Sequence, residues 1–428
     1  MDQNIPLPML HSLQADPMSQ VLTVNGPQVR IQEPTVQAPL RYRYNDEHRV
    51  ELELRNSVIR LGKYHVDTLS KMNELGSIFV DQGRFRAAEV MFVQSILGLM
   101  KAPNTHYRGT HYESILETLE RLGELLQCQG LYVRAEELQK NILGSKQRTL
   151  GEDHLLTLTC MTNLSITYKH EERWKEAEEL DFQVLEQRKI QLGMLHEDTL
   201  ASMGNLATTY RNQNRWEEAE RLETYVMNAF QSREQGEKNP DTLISMTNLA
   251  STYSGEERWL EAEALGIKAV EGFKKVQGDE HPDTLSSMSS LAKTYDSEGK
   301  WLEAHGRLME AEARWMKAEA LDVEVITRRA KVLGQKHTRT LATVAHLAST
   351  HRNRRKWKEA ERLGAGLIGV LTKTRGPEHP QTREEKMNLA SVCRNQGRHG
   401  EAERLEKEAT GTREIFAVPA NWIQFDQV

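Results

Sequence analysis

The chain has 428 residues, of which 38% are hydrophobic, 28% charged and 6% aromatic, with a formal net charge of −6. That length exceeds a single compact core and indicates several domains or one extended repeat array. No apolar run reaches the roughly 20 residues of a membrane helix, no secretory leader pattern opens the chain, and the three cysteines exclude a disulfide framework or a four-cysteine zinc site. We therefore expect a cytoplasmic protein without a membrane partner, metal or cofactor.

Residues 1–42 are rich in proline and glutamine and poor in charge, so they predict a disordered tail. Residues 43–61 predict one helix that caps the first unit of a repeat array. From residue 62 to residue 411 a pattern recurs eight times with a period of about 42 residues. Such a period is typical of proteins built from stacked supersecondary units.

Four positions define the repeated pattern. A threonine, replaced once by isoleucine, marks each unit: Thr68, Ile115, Thr157, Thr199, Thr242, Thr284, Thr340 and Thr382. A glycine stands six residues before it: Gly62, Gly109, Gly151, Gly193, Gly236, Gly278, Gly334 and Gly376. An alanine stands 20 residues after it: Ala88, Ala135, Ala177, Ala219, Ala262, Ala304, Ala360 and Ala402. An aromatic residue or a substitute lies three residues before each alanine, as Trp174 and Trp216 do.

Each of these positions has a structural interpretation. Apolar residues at spacings of three and four follow the threonine, as Leu158, Met161 and Leu164 do, and predict an amphipathic helix A. A second helix, B, begins near the aromatic residue and ends at the next glycine, whose left-handed conformation closes a helix. The alanine is small where helix B crosses helix A. The sequence thus predicts an all-α fold, an α-solenoid in which about eight antiparallel helix pairs wind into a right-handed superhelix.

The motif Leu–Ala–x–x–Tyr followed by Gly–x–Trp–x–x–Ala resembles the tetratricopeptide repeat. The period of about 42 residues and the opening His281-Pro-Asp-Thr284-Leu are similar to the kinesin-light-chain subtype, which is also widespread in fungal NOD-like proteins. The resemblance covers residues 62–411. It departs from both groups, because residues 1–61 lack the length of a kinesin light chain's coiled coil and no GxxxxGK[ST] phosphate loop occurs. The resemblance implies an interaction scaffold that works alone or with a partner that supplies those parts.

One step of the array is 56 residues long instead of about 42. There Trp301-Leu-Glu-Ala304 reappears as Trp315-Met-Lys-Ala318, and this spacing returns an apolar face to nearly the same direction on a helix. We expect one helix over 301–333, extended at about 301–315, which is either a local contact surface or a neutral insertion. The apolar residues 412–428 predict a cap on the last unit, with a tethered groove ligand as the alternative.

Residues 328–358 carry ten lysines and arginines and no acidic residue, in a chain that is acidic overall. One interpretation is a docking patch for an acidic peptide, a phospholigand or nucleic acid. The favoured interpretation is a solvated face paired with acidic side chains such as Glu319 and Glu361. The patch would consist of Arg328, Arg329, Lys331, Lys336, Arg339, Arg354, Arg355 and Lys356.

Nothing in the sequence predicts a catalytic residue. Gly364-Ala-Gly366-Leu-Ile-Gly369 matches the dinucleotide fingerprint, but it falls inside a helix B with no strand before it. Six histidines recur three residues before the threonine, too far apart to share a metal, and we interpret them as turn residues: His65, His154, His196, His281, His337 and His379. No nucleophile elbow and no zinc-ligand spacing occurs.

The tetratricopeptide resemblance implies that helix A lines a concave groove, in which asparagines hydrogen-bond the backbone of an extended peptide. The position just before the core leucine of helix A holds asparagine in four units: Asn163, Asn205, Asn248 and Asn388. Cations stand just after the core tyrosine or near it: Lys169, Arg211, Lys293, Arg352 and Arg394. We therefore expect an acidic peptide, held by charge-assisted hydrogen bonds. The alternative is that these residues only solvate the inner face.

These observations predict a non-catalytic scaffold or adaptor that binds a protein partner through an extended, acidic peptide. Two alternatives stay open. One is phospholigand or nucleic-acid binding through residues 328–358, with nucleic acid the less expected ligand. The other is an accessory scaffold of a fungal biosynthetic or signalling pathway.

Overall fold

The structure is a computed structural model that describes residues 39–101, 108–233 and 236–410. The tails before residue 39 and after residue 410 lie outside these ranges, and so do the predictions of an N-terminal disordered tail and a C-terminal cap. Within the described ranges the chain forms seventeen α-helices, one short 3-10 helix at Gly236–Lys238 and no strand. The α-solenoid that the sequence predicts is confirmed.

The first helix, α1, spans Pro39–Leu61, so it begins four residues before the predicted start at 43. The other helices form eight antiparallel pairs, which we number repeats 1 to 8. Their bounds are α2 Val66–Asp81 with α3 Phe85–Lys101, α4 Arg108–Cys128 with α5 Tyr132–Leu150, α6 Leu155–His170 with α7 Trp174–Leu192, α8 Glu197–Asn212 with α9 Trp216–Gln231, α10 Pro240–Gly255 with α11 Trp259–Gln277, α12 Pro282–Ala304 with α13 Leu308–Val332, α14 Thr338–Asn353 with α15 Trp357–Thr374, and α16 Pro380–Asn395 with α17 His399–Thr410.

The recurring histidines cap the first helix of six repeats. In each, the ring Nδ1 accepts a hydrogen bond from the backbone N–H two residues later, at 3.1 or 3.2 Å. Asn239 takes the same role in repeat 5, with its Oδ1 atom 2.8 Å from the backbone nitrogen of Asp241. An acceptor at this position satisfies one of the backbone donors that a helix start leaves unpaired. The prediction that these histidines are turn residues is therefore confirmed.

Gly236 opens the short 3-10 helix with a φ of +49°, and in six other repeats the repeated glycine ends the preceding helix, with φ between +86° and +97°. Six threonines then donate a hydrogen bond from Oγ1 to that glycine's carbonyl, as Thr284 does to Gly278 at 2.7 Å. The turn between repeats is thereby fixed by a side chain of the helix that follows it. The interpretation is wrong for Gly109, because this residue lies inside α4 rather than after a helix.

Seven of the eight predicted crossing alanines are at most 2% exposed: Ala88, Ala135, Ala177, Ala219, Ala262, Ala360 and Ala402. The exception is Ala304, which is exposed at the end of α12. Repeat 6 uses Ala311 and Ala318 instead, and both are fully buried. The small side chain lets the two helices of a pair approach closely along the whole array.

The prediction of one helix over 301–333 is wrong. The chain reverses between α12 and α13, with Gly306 at a φ of +73° in the turn. The inserted residues lengthen both helices of repeat 6, to 23 and 25 residues, against 16 and 19 in repeat 5. The lengthening of both helices is favourable because the added part of each helix buries its apolar face on the added part of the other. Leu302, Ala311 and Trp315 form the buried cluster between them.

The array curves until its two ends meet. Helix α1 packs on α2 and also contacts α13, and the turn after α4 lies against the start of α16. No helix of the described ranges is both long and apolar enough to cross a membrane.

Candidate functional site

The inner face of the solenoid is formed by the first helices of the repeats. Successive first helices contact one another, as α10 does with α12 and α12 with α14. Because neighbouring elements approach most closely on the inside of a curve, these contacts place the first helices on the concave side. All nine groove residues predicted from the sequence belong to these helices.

Three residues of repeats 3–5 share one arrangement, and we call Asn163, Asn205 and Asn248 the asparagine ladder. Each side chain is half-buried. Each backbone carbonyl accepts a hydrogen bond from the preceding repeat, and the donors are Gln127 at 3.1 Å, Lys169 at 3.1 Å and Arg211 at 3.2 Å. The three side-chain amides form no hydrogen bond with any residue that the structure describes. Each therefore keeps both a donor and an acceptor for another molecule.

The cations of repeats 3 and 4 are held by buried carboxylates. The Lys169 Nζ atom lies 2.8 Å from a carboxylate oxygen of Asp181, which is 3% exposed. Arg211 lies 3.6 Å from Glu223, which is also 3% exposed. Burial raises the pKa of Glu223, against the opposing effect of the Arg211 charge. These two cations join a carboxylate of their own repeat to the ladder residue of the next repeat, so their charge is already compensated.

The remaining predicted groove residues differ in whether they form hydrogen bonds or ion pairs within the chain. Arg352 donates a hydrogen bond to the side-chain oxygen of Asn388 at 2.9 Å, so this asparagine differs from the ladder. Arg394 is paired with Glu406 at 2.8 Å. Lys293 is exposed and has no ion pair with a described residue. Arg352 likewise has only neutral bonded partners, Asn388 and Ser349, and the Lys293 charge acts on the buried Asp322, whose pKa it lowers.

In repeat 7 the ladder position holds His346, which forms what we call the histidine node with Asp296 and Asp322. The His346 Nδ1 atom lies 2.6 Å from Asp322, and its Nε2 atom lies 4.0 Å from Asp296. Asp322 is fully buried, and burial raises its pKa against the opposing effect of His346. Asp296 also accepts a hydrogen bond from Asn353 at 2.8 Å and lies 2.6 Å from the Lys300 ammonium. The imidazole is thus held within the chain.

These buried carboxylates were not predicted from the sequence. They stand four residues after a crossing alanine, as Asp181, Glu223 and Asp322 do. An acidic residue at a position that faces the core in three repeats was the available signal. It could have shown that the inner-face cations have partners within the chain.

A cavity of about 360 Å³ opens at the inner face between α2 and α4. The ladder position here holds Glu74 and Arg121, and both line the cavity. Glu74 is paired with Lys71 at 2.7 Å, and Arg121 is paired with Glu117 at 2.9 Å. Repeats 1 and 2 therefore present ion pairs where repeats 3–5 present amides.

Most of the basic residues between 328 and 358 are bound within the chain. The Arg329 side chain is 5% exposed and donates to Thr343 at 2.7 Å. Glu319 accepts from both Arg354 and Lys356. Ion pairs also hold Arg328 with Glu324, Lys331 with Glu280, and Arg355 with Glu303. Lys336 and Arg339 are exposed and lack an ion pair with a described residue.

The glycine motif at 364–369 lies inside α15, as predicted, so it does not join a strand to a helix. Among the described residues, no group of three or more histidine, cysteine, aspartate or glutamate side chains is placed to hold a metal ion. Of the three glycines only Gly364 lies against a neighbour, since Leu389 is 3.6 Å from its Cβ position and nothing lies within 4 Å of that position at Gly366 or Gly369.

The chain matches the family model described as "Tetratricopeptide repeat" over residues 114–189, 166–232, 241–317 and 340–414. No curated protein matches it. Among solved structures it is similar to the nearly identical TPR-like repeats assigned to a kinesin light chain of Podosopora anserina, with 28% identity over 48% of this chain and 96% of that chain and a TM-score of 0.38.

Two further structures match most of the length. One is the apo form of the quorum sensor NprR from B. thuringiensis, at 13% identity over 87% of this chain and 94% of that chain, with a TM-score of 0.47. The other is a Rap protein complexed with Competence and Sporulation Factor, at 14% identity over 85% and 99%, with a TM-score of 0.39. Since the family model covers more than half of the chain, this protein belongs to the tetratricopeptide-repeat family, and it is similar to the kinesin-light-chain-like repeats.

Proposed function

We propose that the chain is a non-catalytic scaffold that binds a protein partner as an extended peptide in its concave groove. Membership of a family whose fold is typically an interaction scaffold supports the first half of this proposal. The observation that carries the second half is the asparagine ladder, where three half-buried amides in successive repeats have no partner among the described residues.

The ladder suits a peptide backbone for a chemical reason. A side-chain amide offers a donor and an acceptor together, and a peptide group presents the complementary pair irrespective of its side chain. The hydrogen bonds to the ladder carbonyls from Gln127, Lys169 and Arg211 fix the backbone of each asparagine before a ligand arrives. Such preorganisation lowers the entropic cost of binding.

The expected acidic character of the peptide rests on one residue. Lys169, Arg211 and Arg394 are paired with carboxylates, and the half-buried Arg352 is hydrogen-bonded to Asn388 and Ser349. Lys293, by contrast, is exposed and has neither a hydrogen bond nor an ion pair with a described residue. Lys293 lies in α12, the first helix of the repeat that follows Asn248. We therefore propose that an acidic side chain of the peptide meets Lys293 at one end of the ladder.

The test is affinity capture from native cell extract with the wild type and the Asn205→Ala/Asn248→Ala double variant. The matched control is the Asn212→Ala/Asn228→Ala double variant, since both of these asparagines are exposed and neither occupies the ladder position. The proposal expects a partner that the wild type and the control retain and the ladder variant loses. Capture of every partner by all three proteins would contradict it.

The alternative ligands for the basic segment have less support, because six of the eight patch residues are bonded within the chain. A steep loss of RNA or DNA binding with added salt would favour that alternative. A cytoplasmic location is part of the proposal. A role as an accessory scaffold of a fungal biosynthetic or signalling pathway is an alternative to it, and the identity of the captured partner tests that alternative.

A further inference from the structure

The turns of the first two repeats touch the turns that open the last two. The His379 Nε2 atom lies 3.3 Å from the carbonyl oxygen of Cys128, across 251 residues of sequence. The Arg375 guanidinium lies 5.9 Å from the centre of the Phe85 ring. Gly130 lies so close to Pro380 that a Cβ atom on it would stand 2.5 Å from the proline Cδ atom.

A second contact of the same kind occurs one repeat earlier. A Cβ atom on Gly83, in the turn of repeat 1, would lie 3.9 Å from Thr338 Oγ1, at the start of repeat 7. The two contacts have the same offset, because repeat 7 meets repeat 1 and repeat 8 meets repeat 2. The solenoid therefore completes one superhelical turn and rests edge to edge on its own beginning.

The capping histidines show how much this contact covers. His65 and His196 are both exposed. The equivalent His337 and His379 are 7% and 8% exposed. All four cap a helix in the same way, so the difference in exposure arises from the surface that the first two repeats place over the last two.

The hydrogen bonds of His379 suit this position. Its Nδ1 atom accepts from the backbone N–H of Gln381 at 3.2 Å, so the ring proton is on Nε2 and can be donated to Cys128. Burial, assisted by the nearby Arg375 charge, lowers the pKa of His379 to about 4. In the closed contact both nitrogens of the neutral ring are therefore hydrogen-bonded within the chain.

We propose that these contacts form a clasp, which consists of Gly83, Phe85, Cys128 and Gly130 on one side and Thr338, Arg375, His379 and Pro380 on the other, and which opens and closes reversibly. Each repeat otherwise packs on its neighbours, so small changes at every joint add up over the array and separate its ends. The clasp and the neighbouring contact of α1 with α13 are what oppose this opening. As far as the groove binds a peptide, which rests on the proposed function, the clasp governs how a long partner enters it.

The test uses Gly130→Asn on the full chain. Gly130 has a φ of +71°, and Asn214 occupies the equivalent turn of repeat 4 at +59°, so asparagine suits this backbone. Its Cβ atom would nevertheless collide with Pro380. Gly397→Asn is the matched control, because the equivalent glycine of repeat 8 has a φ of +78° and nothing within 4 Å of its Cβ position.

We expect Gly130→Asn to increase the radius of gyration in small-angle X-ray scattering and to speed amide hydrogen exchange over 128–132 and 375–381. Gly397→Asn should match the wild type in both measurements. A second pair of variants guards against a folding defect in the first. Thr338→Arg changes the first residue of a helix inside the clasp, and Leu155→Arg changes the first residue of a helix outside it. Scattering and exchange that stay unchanged in both clasp variants would overturn the proposal. These measurements use the chain alone and are independent of whether the groove binds a peptide.

Discussion

Repeats 3–5 and repeats 6–8 use the same inner-face position in opposite ways. In repeats 3–5 the backbone of each ladder asparagine is bonded and its amide is left without a partner among the described residues, as at Asn205. In repeat 7 the residue at that position, His346, is bound by a buried carboxylate, and in repeat 8 Asn388 is bound by Arg352. The side chain at this position is therefore available to a ligand in repeats 3–5, whereas in repeats 7 and 8 it is bonded to other residues of the chain.

In repeat 8 the difference arises because Arg352 bonds the side chain of Asn388, whereas Arg211 bonds the backbone carbonyl of Asn248. In repeat 7 it lies in the residue after the core tyrosine of the preceding repeat. In repeat 4 it is Arg211, which satisfies the buried Glu223 of its own repeat. In repeat 6 it is Asp296, which repels Asp322 instead of pairing with it, and Asp322 takes its hydrogen bond from the next repeat. One change of charge on helix A thus converts a ligand position into a structural one.

Replacement of His346 by alanine is expected to have the largest effect on stability. It leaves the fully buried Asp322 without its partner, and removal of one member of a buried pair costs about 3 kcal/mol or more. Asn205→Ala is the control at the same position, and its cost should stay below about 1 kcal/mol because no hydrogen bond is lost. Urea unfolding at pH 7 measures both. Equal unfolding midpoints for the two variants would contradict the distinction between the two halves.

The helix glycines give the next prediction. Gly299 of repeat 6 lies against Trp315, whose Nε1 atom would be 2.4 Å from an added Cβ atom, whereas nothing lies within 4 Å of that position at Gly204 of repeat 4. Gly299→Ala should therefore destabilise by about 2 kcal/mol through overpacking. Gly204→Ala should stabilise by about 0.5 to 1 kcal/mol through helix propensity. The unfolding temperatures of the two variants test this prediction. If both temperatures shift in the same direction, the packing of Gly299 against Trp315 in repeat 6 is not as described.

The clasp histidine predicts a pH dependence. The pKa of His379 is lowered from 6.5 to about 4, so the unfolded chain binds a proton in this interval and the folded chain does not. Stability is therefore lost as pH falls from 6.5 to 4, by about 2 kcal/mol at pH 5 relative to pH 8. His379→Asn keeps a side chain that can cap the helix, as Asn239 does in repeat 5. This variant should not lose the part of the stability that the wild type loses through protonation of His379. Equal pH profiles of unfolding for wild type and variant would refute this assignment.

The smallest expected effect is at Lys293. Because this side chain is exposed, its ion pair with a bound carboxylate should contribute less than about 1 kcal/mol, or up to about a fivefold change in affinity. Lys293→Gln should weaken an acidic groove peptide by this amount at low salt and by less at high salt. Lys336→Gln, which removes an exposed cation of the basic segment, is the control. If Lys336→Gln lowers the affinity for the peptide more than Lys293→Gln does, the acidic side chain of the peptide contacts the basic segment and not Lys293.

Most of the fold could be predicted from the sequence, because each repeated position corresponds to one backbone requirement. The glycines take the left-handed conformation, the threonines bond their carbonyls, and the alanines allow close crossing. Repeat 6 was mispredicted since three seven-residue segments resemble one another there, at Trp301, Leu308 and Trp315. The chain turns before the middle segment, which lacks a tryptophan. A turn at this point shares the inserted residues between the two helices of repeat 6, so that the added part of each helix packs on the added part of the other.

The groove was predictable only in part. Asn163, Asn205 and Asn248 are visible as a repeated residue, and the sequence alone suffices to single them out. The engagement of Lys169 and Arg211 was not visible, because their carboxylate partners stand 12 residues later on another helix. The clasp was also beyond sequence reasoning, since it depends on the accumulated curvature of six repeats and joins residues 251 positions apart.

The most direct test of the central claim is the dissociation constant of a peptide taken from a captured partner, measured by fluorescence anisotropy. Two lost backbone hydrogen bonds should weaken binding to the Asn205→Ala/Asn248→Ala variant about thirtyfold. The Asn212→Ala/Asn228→Ala variant should bind as the wild type does. If the ladder variant binds the peptide with wild-type affinity, the concave groove of repeats 3–5 is not the binding site.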